Sequence, residues 1–151
     1  MAMVRAKKRT ADSLTTMTKV LQYRDINGEN RLFGGRLMEW IDETATICGM
    51  RHCGGCVTTR AVDNLQFRRG AVLNDIVVLR ACVTYVGRTS IEVRVESFTE
   101  ARSTGERTLI NRAYLIVVHV DENGVPQPVP FDPEPTTEEE KAEYRSAERR
   151  S

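Results

Sequence analysis

Residues 27–51, NGENRLFGGRLMEWIDETATICGMR, constrain the fold more than any other stretch of the chain. Asp25, Asn27, Gly28, Asn30 and Gly34 are turn residues, so 25–34 reads as a loop. From Gly35 a helical period takes over: Leu37, Ile41, Thr44, Ala45 and Cys48 fall at the spacing of one buried face. Met38, Trp40 and Ile47 widen that stripe until the helix is apolar over most of its circumference, and such a helix must be covered on several sides. About eighteen residues at 1.5 Å each span roughly 27 Å. Gly54-Gly55 ends the helix, with Arg51 and His52 in the last turn, where cations suit the dipole. Asp42 is the oddity. Its helical neighbours are Gly35, Met38, Ala45, Thr46 and Gly49, mostly small, so a cleft could reach the carboxylate. The plainer alternative is an exposed acid beside Glu39 and Glu43.

After Val57 the period changes to two. Residues 57–67, 75–86, 90–98 and 106–120 read as strands, and 14–24 as an earlier one. The 75–86 stretch, DIVVLRACVTYV, is β-branched enough to be buried on both faces. In 90–98, Ile91, Val93 and Val95 point one way and Glu92, Arg94 and Glu96 the other. The links RRGAVLN, GRT and ARSTG look like hairpins. DENG at 121–124 is a turn, and PQPVPFDPEP cannot hold a central strand. A loop and helix followed by long antiparallel strands make an α+β domain. Its sheet must curl around the helix, or a second copy must cover it.

The 151 residues fit one domain: a basic arm at 1–12, a globular unit at 13–130, and a charged tail at 131–151. Hydrophobic content of 40% with 28% charged residues is that of an ordinary globular chain. No apolar run approaches a membrane span, and a net charge of +1 points to no nucleic-acid or membrane partner. The opening MAMVRAKKRTADS is short for a transit peptide and contains Asp12, so the expected location is the cytoplasm. The tail is expected to be helical or disordered, with Thr136 or Thr137 and Glu139 or Glu140 forming a capping box. Cys53 and Cys56 form a C-x-x-C beside His52, which invites a zinc or redox reading. A closed zinc site needs four ligands and no second pair exists. A thioredoxin-like pair opens a helix, whereas this one follows a helix. Reduced structural thiols and no metal are the expectation, and a small metal or redox module is the alternative.

The pieces N-x5-FGG-x4-WIDE, RHCGGCVT, VD-x-LQF and YVGRTSIEV, collinear over roughly 14–130, resemble the hotdog-fold acyl-CoA thioesterases of the acyl-CoA hydrolase family. The resemblance implies a long central helix wrapped by a curved antiparallel sheet. It further implies dimers with a continuous sheet, often a trimer of dimers, hydrolysing acyl-CoA to free acid and coenzyme A. No cofactor is implied beyond the coenzyme that is part of the substrate. Asp42 takes the place of the general base or, as an alternative, the nucleophile. Asn27 takes that of the residue holding the water, supplied from the opposite subunit, although Asp25-Ile26-Asn27-Gly28 would suit any turn. Gly34 and Gly35 open the helix where unpaired N–H groups can receive the thioester oxygen, or merely allow a tight turn. Thr59, Arg60 and Ala61, with Arg88, Thr89, Ser90 and Ile91, are the candidates to line the coenzyme. Where the family has F-x-x-P-x-x-x-G-D, this chain has Phe67, Gly70, Asn74 and Asp75, with Asn74 expected to keep the left-handed turn. Without a histidine before Arg51, a hydrolase is favoured over a dehydratase. A non-catalytic acyl-CoA-binding module of the same fold is the competing function.

Overall fold

The computed structural model describes residues 5–63, 65 and 70–150. The expectations placed on residues 1–4 of the arm and on Phe67 lie outside the described residues. The chain runs β1 (Ala6–Arg9), α1 (Thr10–Ser13), β2 (Thr15–Val20), a 3-10 turn (Tyr23–Asp25), α2 (Gly34–Cys53) and β3 (Cys56–Asp63). It continues through β4 (Ile76–Val86), β5 (Ser90–Glu100), β6 (Arg107–Val120), β7 (Phe131–Glu134) and α3 (Glu138–Arg150). A five-stranded sheet has the order β2-β4-β5-β6-β3, all antiparallel, and curls around α2.

The core is the meeting of one helix stripe with the inner rows of the sheet. Leu37, Trp40, Ile41, Ala45 and Cys48 of α2 pack with Leu79, Val83, Val93, Val95, Leu115 and Val117. Gly49 lets the helix sit close, since a Cβ there would lie 2.9 Å from Val117 Cγ2. The apolar stripe is narrower than its sequence suggests: Met38 is 43% exposed, because it borders an open cleft rather than the sheet. Gly54 caps α2 in the left-handed conformation at φ 74°, its N–H on the Met50 carbonyl. Asn74 also holds a left-handed turn, at φ 72°.

The GRT and ARSTG links are hairpins, joining the neighbours β4-β5 and β5-β6. The link between β3 and β4 is not. Those strands lie apart, β3 at one edge beside β6 and β4 beside β2. The alternation of β5 holds, but its polar side is covered: Arg94 is 8% and Glu96 7% exposed. The cover is α3, so the charged tail is a docked helix. Its N-terminus carries the expected capping box: Thr137 Oγ1 accepts the Glu140 N–H at 3.1 Å, and Glu140 Oε1 accepts those of Thr136 and Thr137.

The basic arm is docked at residues 6–9. Residues 6–9 form β1, which pairs in parallel with β7. Lys8 Nζ donates to the carbonyls of Arg51 and His52, at 2.9 and 3.0 Å. That ammonium satisfies carbonyls which the end of any helix leaves unpaired. His52 was expected to supply charge there but is buried. Its Nε2 is bonded to the Phe131 carbonyl at 3.0 Å, and burial lowers its pKa, so it is held neutral. Arg51 turns back to the Leu14 carbonyl and Thr15.

Candidate active site

Helix α2 presents Asp42 to the cleft between itself and β3. Thr59, facing inward from β3, donates its hydroxyl to Asp42 Oδ1 at 2.5 Å. One carboxylate oxygen is thereby oriented, and Asp42 itself remains exposed to solvent. The cleft encloses about 370 Å³. Asp42, Thr59, Glu39 and Gly35 make its polar end, while Val62 and Leu65, backed by the buried Ile41 and Leu115, make an apolar wall with Met38 at the rim. It therefore suits a molecule with an apolar limb and a reactive polar centre.

The start of α2 is fixed by residues whose role the sequence did not reveal. Asp25 is buried; its carboxylate accepts the Gln22 N–H at 3.0 Å and faces Arg36 Nε at 3.3 Å, while its carbonyl accepts the Phe33 N–H at 2.8 Å. Loop and helix are thus tied at one acid. Gly34 and Gly35 occupy the first two helical positions, where the N–H groups have no intrahelical acceptor. Neither belongs to the glycines with positive φ, so a left-handed turn is not their reason. Gly35 is held to its size by the Phe33 ring, 2.8 Å from where a Cβ would sit.

Asn27 is a turn residue within its own chain. Its Oδ1 accepts the N–H groups of Glu29 and Arg31, at 2.9 and 3.2 Å, and its side chain does not border the Asp42 cleft. The coenzyme candidates divide. Thr59 is bonded to Asp42 and lines the same cleft. Arg60 sits at an irregularity in the β3-β6 register and is exposed, as is Ala61. In the β4-β5 hairpin, Arg88 is exposed while Thr89 and Ser90 are half-buried. Ile91 is 0% exposed and part of the core, so its side chain is closed to any ligand. Register aligns Thr59, Val117 and Ile91 in one row across β3, β6 and β5. Two strand spacings of about 4.8 Å put the hairpin roughly 10 Å from Thr59.

Cys48, Cys53, Cys56 and Cys82 are free thiols. Burial pushes Cys48 up to about 12 and Cys82 up to about 11, which makes both unreactive at neutral pH. Among the described residues no group of three or more His, Cys, Asp or Glu could hold a metal ion. His119 serves the fold, its Nδ1 bonded to the Pro128 carbonyl at 3.0 Å. No helix among the described residues is long and apolar enough to cross a membrane.

A curled antiparallel sheet wrapped around one long helix, with a carboxylate on the helix's open flank, defines a hotdog-fold enzyme. Residues 29–106 match the thioesterase superfamily. An uncharacterized acyl-CoA thioester hydrolase of Bacillus subtilis is 41% identical over 127 residues, covering 84% of this chain and 73% of that one. Among solved structures, an apo-hexameric acyl-CoA thioesterase superposes with a TM-score of 0.88 at 38% identity, covering 96% of this chain and 92% of that one. An acyl-CoA hydrolase from Staphylococcus aureus, in complex with butyryl coenzyme A, coenzyme A and coenzyme A disulfide, gives 0.90 at 32% identity, covering 95% and 87%. The chain belongs to the thioesterase superfamily, among its acyl-CoA hydrolases.

Proposed function

We propose that this chain hydrolyses acyl-CoA thioesters to a carboxylic acid and coenzyme A, with Asp42 as general base and Asn27 of the partner subunit positioning the water. The observation that carries this reading is the Asp42–Thr59 pair at the polar end of an otherwise apolar cleft. With Oδ1 occupied by Thr59, the other oxygen is left to take a proton from water. The water attacks the thioester carbon, and the carbonyl oxygen gains charge opposite the Gly34 and Gly35 N–H groups, where the helix dipole favours it. Collapse expels the coenzyme A thiolate, which takes the proton back from Asp42. The acyl limb lies along Met38, Val62 and Leu65, and the coenzyme runs toward Arg60, Ala61 and the Arg88–Ser90 hairpin. Exposed guanidinium groups there suit its phosphates.

Asn27 does not border the cleft of its own chain, which is what a site shared between subunits requires. The hexameric relative supports self-association, and a dimer or a trimer of dimers is the assembly proposed. The reaction as written draws on no metal, and the expected location is the cytoplasm. The test is a chain-length series of acyl-CoA substrates with a thiol-trapping dye, run on the purified assembly. Release of coenzyme A supports the reading; stoichiometric binding with no release on any substrate would replace it with a binding module. Mixing Asp42→Asn chains with Asn27→Ala chains, each inactive alone, should restore turnover after subunit exchange. No restoration places both residues' roles within one chain.

A further inference from the structure

The loop that carries Asn27 and the first turn of α2 both hang on one buried acid. Asp25, 4% exposed, stands at the root of that loop, and the loop ends where α2 begins. Above the root the loop closes on itself: Ile26 bridges Leu32, and the Asn27 N–H meets the Arg31 carbonyl at 2.8 Å. Asn27 Oδ1 is taken by the Glu29 and Arg31 N–H groups, so the side chain is fixed and its NH2 is the group left to offer. On the helix side, the Asp25 carbonyl accepts the Phe33 N–H, and the Phe33 carbonyl accepts those of Arg36 and Leu37 at 3.0 and 3.1 Å. Gly34 and Gly35 are the residues spanned by that last pair.

The carboxylate joins both branches. Oδ2 accepts the Gln22 N–H, and Oδ1 faces Arg36 Nε at 3.3 Å. That second contact is an ion pair without an aligned hydrogen bond, so it depends on charge. Arg36 carries the tie onward. Its guanidinium donates to the Arg24 carbonyl at 3.3 Å and to Glu39 Oε2 at 2.8 Å, and Glu39 borders the Asp42 cleft. The Leu32 N–H on the Ala71 carbonyl anchors the loop separately, at 2.7 Å. Loss of the Asp25 charge would therefore shift the loop against the helix without releasing it.

We propose that Asp25 is a positioning residue for two active sites at once. Through the loop it sets Asn27 for the partner's site, and through Arg36 it sets the Gly34 and Gly35 donors of its own. This role rests on the shared-site reading above, in which Asn27 serves the neighbouring chain. Asp25 touches no reacting atom, and its effect is geometric. A misplacement of about 1 Å in the groups around a reacting centre costs about a hundredfold in rate. The apolar wall and the coenzyme surface, which set substrate affinity, lie outside the tie. Turnover should therefore respond to Asp25 and affinity should not.

The experiment uses mixed chains that share one working site per pair. When Asp42→Asn chains meet Asn27→Ala chains, that site takes Asn27 from the first and Asp42, Gly34 and Gly35 from the second. Asp25→Asn, which keeps the shape but removes the charge facing Arg36, is then placed in either chain alone. Each placement should lower kcat by about 10- to 100-fold against the parent mixture, with KM for acyl-CoA within about twofold. A fall in one placement only overturns the two-site role. A rise in KM at constant kcat, or a loss that follows the unfolded fraction measured by circular dichroism, overturns positioning. Arg36→Gln breaks the same tie from its more exposed end and replaces Asp25→Asn should that variant not fold. In unmixed protein the double variant should be no slower than the slower single one, because both remove one contact; multiplied losses overturn the pairing. A parent mixture without turnover removes the shared site and this role with it. Turnover of the unsubstituted protein on the same substrates decides the thioesterase reading separately.

Discussion

Helix α2 lies against the inner face of the sheet through Leu37, Ile41, Ala45 and Cys48, whereas α3 lies on the outer face through polar and charged groups. Glu143 of α3 accepts the Tyr114 hydroxyl at 2.8 Å and faces Arg94 at 3.3 Å. Arg150 meets Glu92 at 2.7 Å and stacks over the Tyr114 ring. Ala147, at 0% exposed, is the one fully apolar anchor there, with Tyr144 beside Tyr85. The inner contact is non-directional and grows with area. The outer one depends on each group keeping its partner and responds to salt and pH. The rigid contact fixes the helix that borders the cleft; the conditional one covers the back of the sheet.

The sharpest division should come from Asp42→Asn. It should reduce kcat/KM by about 10²–10⁴, the range for a general base, while thermal unfolding stays as in wild type. Asp42 is exposed and adds nothing to the core, so a near-normal rate would remove the assignment. Ile41→Ala, one residue away on the same helix but turned into the sheet, should do the reverse. Loss of a fully buried aliphatic side chain costs about 2–5 kcal/mol, read as a fall in denaturation midpoint. An unchanged midpoint would mean that the inner contact does not hold the domain.

This pair also shows what was legible in the sequence. The period of α2 revealed both the buried Ile41 and the displaced Asp42, because adjacent positions on a helix point about 100° apart. The strands β4, β5 and β6 were legible for the same local reason. Unreadable were contacts made between distant segments. Thr59 reaches Asp42 only after the chain reverses at Gly54-Gly55, and its spacing in β3 says nothing about a partner on the helix. The β1-β7 pairing joins short strands at opposite ends of the chain, one basic and one containing Pro133, with neither showing an apolar alternation. Nothing local marks Lys8 as the cap of a helix whose end lies 43 residues later. Asp25 looked like one more turn acid, and its burial depends on Arg36 and Phe33 closing over it.

On the outer face, Glu143→Gln should leave catalysis intact and cost about 1–3 kcal/mol, since it strips the buried Arg94 of one counter-charge while Glu96 remains. A drop in kcat/KM equal to that of Asp42→Asn would break the division between the two helices. His52 supplies the pH test for the inner helix. Its folded-state pKa is depressed, chiefly by burial, so the unfolded chain binds the proton first. Stability from this residue is complete above about pH 6.5, its unfolded value, and is lost as pH falls from there toward the depressed folded value. Melting temperature should therefore decline below pH 6.5 in wild type, and a His52→Gln variant should show a shallower decline. Parallel profiles would show that His52 does not titrate with unfolding.

The smallest effect separates the helices most cleanly. At 1 M salt the screening length shrinks to about 3 Å, so the ion pairs of α3 weaken, whereas burial of α2 does not. The pairs are partly shielded, Arg94–Glu143 most of all, which keeps the expected change within about 0.2–1 kcal/mol for the more exposed Arg150–Glu92. Hydrogen exchange resolves what a melting curve would average. Amides of 138–150 should exchange faster in 1 M than in 0.1 M salt, and those of 40–50 should not. If α3 is unmoved by salt, then Ala147 and the Tyr85–Tyr144 pair hold it, and the outer contact is as apolar in energy as the inner one.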